Sequence, residues 1–82
     1  MAEQRILIID DDDRTRKLFR KILEREAYEV TEAANGKEGI KLYRQKPVDL
    51  VITDIIMPEK EGIETIMELR KDFPDVKIMA MS

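Results

Sequence analysis

The chain has 82 residues, enough for one small domain, and a domain of that size buries only about 60% of the surface that its unfolded chain exposes. It contains neither cysteine nor histidine, which excludes disulfides, thiolate metal sites and the commonest general base. With 15 basic and 18 acidic residues and no basic block, direct nucleic-acid binding is not expected. No apolar run approaches the roughly 18 residues of a membrane span, and the N-terminus lacks a signal-peptide stretch. We therefore expect a cytoplasmic protein without a membrane segment.

The first predicted element is a strand over residues 6–9, where an apolar run has no polar alternation. Such runs are typical of strands that are covered on both faces in parallel sheets. A helix follows to about residue 26, with Asp12 or Asp13 as its cap. Its arginines are expected to form a solvated face, and its apolar stripe consists of Leu18, Phe19, Ile22 and Leu23.

A weaker strand is predicted over residues 28–33, where Val30 lies among acidic residues as an edge position allows. Asn35-Gly36 then turns the chain into a helix over residues 37–45, with Ile40 and Tyr43 facing inward. Pro47 ends this helix, because the residue before proline avoids helical angles. A third strand is predicted over residues 50–53.

The last predicted elements are a helix over residues 63–72 and a fourth strand over residues 77–81. Met57-Pro58 and Gly62 indicate a loop before the helix, in which Ile63, Ile66, Met67 and Arg70 have helical spacing. Residues 1–82 thus form one unit of strand and helix three times, followed by a strand. This alternation predicts an α/β fold with a parallel sheet and ligands at the carboxyl ends of the strands.

Acidic residues follow two of the predicted strands. Asp10 and Asp11 come after the first strand, and Asp54 comes after the third. If these strands are parallel neighbours, the three carboxylates share one pocket, which suits Mg²⁺ because this ion prefers oxygen ligands. Asp54 can then be both ligand and nucleophile, and Ser82 would place a hydroxyl on the same rim. Without a metal ion, at least one of the three acids should keep its proton to a higher pH than a free side chain.

Three segments resemble the receiver domains of two-component response regulators, which include the chemotaxis regulators. The acidic residues after the run Ile6-Leu7-Ile8-Ile9 are similar to the acidic-pair motif of that family. The segment Asp54-Ile55-Ile56-Met57-Pro58, with Gly62 after it, looks like the family's phosphorylation-site segment. The run Lys77-Ile78-Met79-Ala80-Met81 leads to Ser82, at a position where family members carry Ser or Thr. The resemblance covers the whole chain.

The resemblance implies a flavodoxin-like parallel sheet with the strand order 2-1-3-4. It implies that Asp54 is the phospho-acceptor, that Asp10 and Asp11 form the Mg²⁺ site, and that the backbone carbonyl of Ile56 is a further ligand. Ser82 would be the hydroxyl that contacts the phosphoryl group. The partner would be a sensor histidine kinase, and the domain would catalyse only its own phosphorylation and dephosphorylation, so it would not be an enzyme with a separate substrate.

Family receivers have five strands and five helices, so residues 1–82 resemble a receiver domain truncated after its fourth strand, without the last helix-strand-helix portion. The missing portion would carry a lysine that pairs with the phosphoryl group, and we therefore expect impaired phosphorylation. It would also leave the fourth strand as an apolar edge and the first helix without a neighbour. Such surfaces favour self-association.

Two other functions stay open on the sequence. The chain can be a structural or assembly unit that self-associates and has no activity. It can also be a Mg²⁺-dependent phosphatase with an aspartyl nucleophile, but such enzymes need a second acid two residues later, where this chain has Ile56. At the residue level, Asp12 and Asp13 are expected to be helix caps, and Asp10 and Asp11 can have the same role.

Overall fold

The computed structural model describes residues 4–54 and 61–81. The described chain alternates between strands and helices in the predicted order. The strands and helices are β1 (Arg5–Ile9), α1 (Asp13–Arg25), β2 (Glu29–Ala33), α2 (Gly36–Gln45), β3 (Leu50–Asp54), α3 (Glu61–Asp72) and β4 (Ile78–Met81). Their bounds differ from the predicted ones by one or two residues.

The four strands form one parallel sheet in the order β2-β1-β3-β4. The predicted α/β fold, flavodoxin-like strand order and edge position of β2 are confirmed. In the register between β1 and β3, Ile9 is the partner of Thr53. The residues that follow this pair, Asp10 and Asp54, therefore leave the same edge of the sheet side by side.

Both faces of β1 are covered, and its side chains alternate between the two faces of the sheet. Ile6 and Ile8 pack on the α1 side, with Phe19 and Leu23 against them. Leu7 and Ile9 pack on the other side, which α2 and α3 cover. Both sets are buried, so β1 is apolar on both faces from Ile6 to Ile9, as the run without polar alternation predicted.

Helix α2 approaches β1 so closely that its position 39 has no room for a side chain. A Cβ atom built on Gly39 would lie 2.3 Å from Cδ1 of Ile9. Deeper in the same layer, the rings of Tyr43 and Phe73 meet edge to face, with their centroids 4.8 Å apart. These contacts fix α2, and the residue that follows α3, over the face of the sheet that carries Leu7 and Ile9.

The turn after α1 has the hydrogen bonds of a Schellman motif. The amide of Ala27 donates to the Glu24 carbonyl over 3.1 Å, and the amide of Tyr28 donates to the Leu23 carbonyl over 3.1 Å. Ala27 has a φ of 66°, the left-handed conformation that this motif needs and that glycine adopts most easily. Leu23 and Tyr28 pack on the same apolar cluster, which directs the chain into β2.

The packing of α1 and α3 differs in part from the predicted stripes. On α1, Leu18 is 59% exposed, whereas Phe19 and Leu23 reach the core. On α3, Gly62, Thr65 and Leu69 are buried, and Met67 is 66% exposed. Helical spacing of apolar residues therefore identified the helices correctly but did not tell which part of each apolar stripe is buried.

Candidate functional site

Three carboxylates meet at the carboxyl ends of β1 and β3. One carboxylate oxygen from each of Asp10, Asp11 and Asp54 lies within 4.8 Å of the other two, and among the residues that the structure describes this is the group that could hold a metal ion. Asp10 is buried, Asp54 is half-buried and Asp11 is exposed. The predicted convergence of the three acids is therefore present, whereas their roles stay predictions.

Hydrogen bonds hold Asp10 at its backbone and at its side chain. Its amide donates to the Ala33 carbonyl of β2 over 3.1 Å. Its Oδ1 accepts from the Asp12 amide over 2.9 Å. Its carbonyl oxygen accepts from Nη1 of Arg16 over 2.7 Å. Asp10 is only 3% exposed, so these bonds fix the direction in which its carboxylate points.

The pKa of Asp10 lies above its ordinary value. Burial is the largest cause, the hydrogen bond from the Asp12 amide opposes it in part, and the charges of Asp54, Asp11 and Asp12 raise the pKa further. This agrees with the expectation that one of the crowded acids keeps its proton to a higher pH. A bound cation would offset the burial and the repulsion together, so this set of oxygen donors fits a divalent ion.

Asp12 and Asp13 belong to the start of α1, as predicted. Asp12 is the N-cap, and its carboxylate accepts from the Arg14 amide over 3.0 Å and from the Thr15 hydroxyl over 2.8 Å. The Thr15 hydroxyl is the largest cause that lowers the pKa of Asp12. Asp13 lies in the first turn of the helix and pairs with Arg16. Both acids thus stabilise α1 beside the three-acid group.

The expectation that the arginines of α1 form a solvated face is wrong for Arg16. Its side chain is only 11% exposed and bonds the Asp10 carbonyl, Asp13 and Glu32. A signal for this contact is present in β2, since Glu32 lies two residues after buried Val30 and so shares its α1-facing side. A carboxylate on that side needs a cation from the covering helix.

Several predicted site residues lie outside the described part of the chain. They are Ile56, with its proposed carbonyl ligand, the Met57-Pro58 pair and Ser82. Their roles stay predictions. Gly62, the end of the phosphorylation-like segment, is buried in the first turn of α3.

Within residues 4–54 and 61–81, none of the helices has the length and hydropathy needed to cross a lipid bilayer.

Comparison with known proteins identifies the class of domain that has this fold and these clustered acids. The family model of the response regulator receiver domain matches residues 6–82. The chain therefore belongs to the receiver domains of two-component response regulators.

A curated relative supports this membership. The chain is 41% identical over 66 residues to the transcriptional regulatory protein SrrA of Staphylococcus aureus, covering 80% of this chain and 27% of SrrA. It therefore spans about a quarter of the length of that curated relative.

Solved structures give the same answer. The chain is 43% identical to the response regulator TrrA of Thermotoga maritima in complex with Mg²⁺-BeF, with a TM-score of 0.86, covering 92% of this chain and 65% of that one. It is 42% identical to a chain in the structure of the histidine kinase ThkA in complex with TrrA, with a TM-score of 0.87, covering 94% of this chain and 66% of that one.

Proposed function

We propose that this receiver domain accepts a phosphoryl group on Asp54, in the presence of Mg²⁺ held by Asp10, Asp11 and Asp54. The observation that carries the proposal is the convergence of these three carboxylates within 4.8 Å at one edge of a parallel sheet. Family membership and the crystal structure of TrrA with Mg²⁺-BeF support it.

In the proposed reaction, a carboxylate oxygen of Asp54 forms a bond to phosphorus, and the bond between phosphorus and the donor breaks with its electron pair leaving on the donor. The product on Asp54 is an acyl phosphate. Magnesium, when bound, supplies positive charge between two groups that would otherwise repel. Asp10 and Asp11 hold the ion, and the hydrogen bonds to Asp10 keep its carboxylate aimed at the site. By the family resemblance, Ile56 would add a carbonyl ligand and Ser82 a hydrogen bond to the phosphoryl group.

The donor we propose is a sensor histidine kinase, which the ThkA–TrrA complex supports. The domain would act only on itself, so it would not turn over a separate substrate and would not count as an enzyme in that sense. A cytoplasmic location and impaired phosphorylation of residues 1–82 stay predictions from the sequence.

The test is to incubate the protein with acetyl phosphate and Mg²⁺ and to measure its mass. We expect an adduct of at most one phosphoryl group per chain, which disappears in Asp54→Asn. Asp75→Asn is the matched control, because Asp75 precedes β4 and lies at the amino ends of the strands, away from the three acids. This change should leave the adduct unchanged. Absence of any adduct on the wild-type chain, with either acetyl phosphate or beryllofluoride, would contradict the proposal and favour the assembly unit.

We also propose that the chain self-associates through the α1 side of the sheet. Leu18, Ile22 and Met79 are 59%, 48% and 53% exposed, and Met79 pairs in register with Ile52 of the apolar cluster under α1. β4 is an edge strand of the described sheet, and apolar edges favour pairing with another chain.

Sedimentation over a range of concentrations tests this second proposal. Ile22→Lys should shift the protein toward monomer, whereas Met67→Lys, on α3 at the other side of the sheet, should not. A wild-type chain that remains a monomer at high micromolar concentration would exclude self-association.

A further inference from the structure

The side chain of Arg16 connects three parts of the molecule beside the acidic edge. From α1 it donates to the Asp10 carbonyl over 2.7 Å, to Glu32 of β2 over 2.9 Å, and to Asp13 of its own first turn. It is 11% exposed, so these contacts are largely screened from water. Arginine suits such a position because its planar guanidinium offers five donors in fixed directions.

The bond to the Asp10 carbonyl acts on the peptide that joins Asp10 to Asp11. That peptide is planar, so fixing its carbonyl also fixes the direction in which Asp11 leaves β1. The other side of Asp10 is held by its amide bond to the Ala33 carbonyl. Arg16 therefore sets the backbone orientation of two of the three clustered acids.

Glu32 holds the guanidinium of Arg16 in place. Its Oε1 accepts from Arg16, and its Oε2 accepts from Nη1 of Arg20 over 2.6 Å. Glu32 is 17% exposed, and its pKa is lowered chiefly by the bond from Arg20. Arg20 makes its other bond to Glu24, over 3.2 Å, and the structure gives it no bond to Asp10.

We propose that Arg16 is a positioning residue of the acidic site, holding the Asp10–Asp11 peptide so that both carboxylates face a bound cation. This inference rests on the proposed Mg²⁺ site and assigns to it a residue outside the three-acid group. Arg16 acts through the Asp10 carbonyl and does not itself contact the ion.

The direction in which Mg²⁺ affinity changes when Arg16 is replaced distinguishes a positioning role from a purely electrostatic one. Arg16 is a cation near a cation site, so by Coulomb's law alone its neutralisation should tighten Mg²⁺ binding. If Arg16 instead positions the ligands, its loss should weaken binding. Supporting groups of this kind typically change metal affinity by about 10-fold or more.

The experiment compares Arg16→Gln with Arg20→Gln, because both residues lie on α1, both bond Glu32 and both changes remove one positive charge. Mg²⁺ would be titrated into ¹⁵N-labelled protein, with the amides of Asp11 and Asp12 as reporters. We expect Arg16→Gln to weaken Mg²⁺ binding about 10-fold, and Arg20→Gln to bind at least as tightly as the wild type. Arg16→Lys keeps the charge but not the planar set of donors, so its Mg²⁺ affinity should lie between those of Arg16→Gln and the wild type.

A second readout needs no metal. In EDTA, the Asp10 and Asp12 amides of Arg16→Gln should exchange with solvent faster than in Arg20→Gln, after both rates are normalised to the Val51 amide in the core. Equal normalised rates, or Mg²⁺ binding in Arg16→Gln as tight as in the wild type, would overturn the inference. If the wild-type chain binds no Mg²⁺ at all, the proposed site fails, and the exchange rates still decide whether Arg16 orders the peptide.

Discussion

Crowding of like charge at the acidic edge should make the metal-free protein more stable when Asp54 is neutralised. The oxygens of Asp10, Asp11 and Asp54 lie within 4.8 Å of one another. At that separation two unit charges repel by about 0.9 kcal/mol in water and by about 3.5 kcal/mol at an effective dielectric constant of 20. Because Asp11 is exposed and Asp54 is only half-buried, the value for water is the better guide. Summed over two partners, we expect Asp54→Asn to raise the free energy of unfolding by about 1–2 kcal/mol in EDTA.

The order of stability should change when Mg²⁺ is added. Saturating the wild type at 100 times the dissociation constant would stabilise it by about 2.7 kcal/mol, and Asp54→Asn should lose most of that gain. Urea unfolding at pH 7, followed by circular dichroism with EDTA or with Mg²⁺, measures both effects. Asp75→Asn removes one negative charge at the opposite edge of the sheet and should change neither.

The pH dependence of the same protein gives an independent check. Because the pKa of Asp10 is raised in the folded protein, its contribution to stability is complete below the ordinary value of 3.8 and is lost as the pH rises through the folded pKa. Asp54→Asn removes one of the charges that raise this pKa. As the pH rises through the folded pKa of Asp10, the free energy of unfolding of this variant should therefore fall less than that of the wild type. The reasoning is refuted if Asp54→Asn is less stable than the wild type in EDTA and still responds fully to Mg²⁺.

Three further changes test the fold around the site by urea unfolding. Ala27→Gly should stabilise the protein by about 0.5–1 kcal/mol, since glycine adopts the left-handed φ of 66° without strain, whereas Ala34→Gly should not stabilise it. Gly39→Ala should destabilise it by about 1–2 kcal/mol, because the new methyl group would meet Ile9, and the combination with Ile9→Val should cost less than the sum of the single changes. Glu32→Gln should cost about 1–3 kcal/mol and flatten the loss of stability on acidification, because the lowered pKa of Glu32 makes its contribution present above 4.5 and lost as the pH falls. In each case an effect of the opposite sign would contradict the contact described.

The sheet could be predicted from the sequence because its information is local. Each apolar run is short and bounded by polar or turn residues, so the order of strands and helices follows directly. The strand order came from the family resemblance. The buried face of α3 could not be predicted, since polar Thr65 is buried together with Leu69, whereas apolar Met67 is exposed. Which stripe of α3 is buried depends on how the helix packs against α2 and β3. The sequence of the helix alone does not contain that information.

The acids of the site could be predicted because each one ends a strand, and parallel strands bring their ends to one edge. Arg16 could not be found from the helix alone, where it is one of several cations with helical spacing. Its burial depends on two other parts of the chain: β2 places Glu32 beneath α1, and the carbonyl of Asp10, the residue after β1, accepts from the same guanidinium. The resemblance to the family gave no role to this residue.

Arg16 and Arg20 of α1 lie beside the three-acid group, and the pKa values of the acids in these two neighbouring regions shift in opposite directions. On the α1 side, Glu32 is matched by Arg16 and Arg20, and its pKa is lowered. At the edge, the pKa of Asp10 is raised, chiefly by burial and further by the charges of the neighbouring acids. The bonds of Arg16 end on the carbonyl of Asp10, so this cation orders the site without being paired to its carboxylate. The three-acid group thus keeps its excess negative charge while hydrogen bonds fix its geometry. Both features favour the binding of a divalent cation.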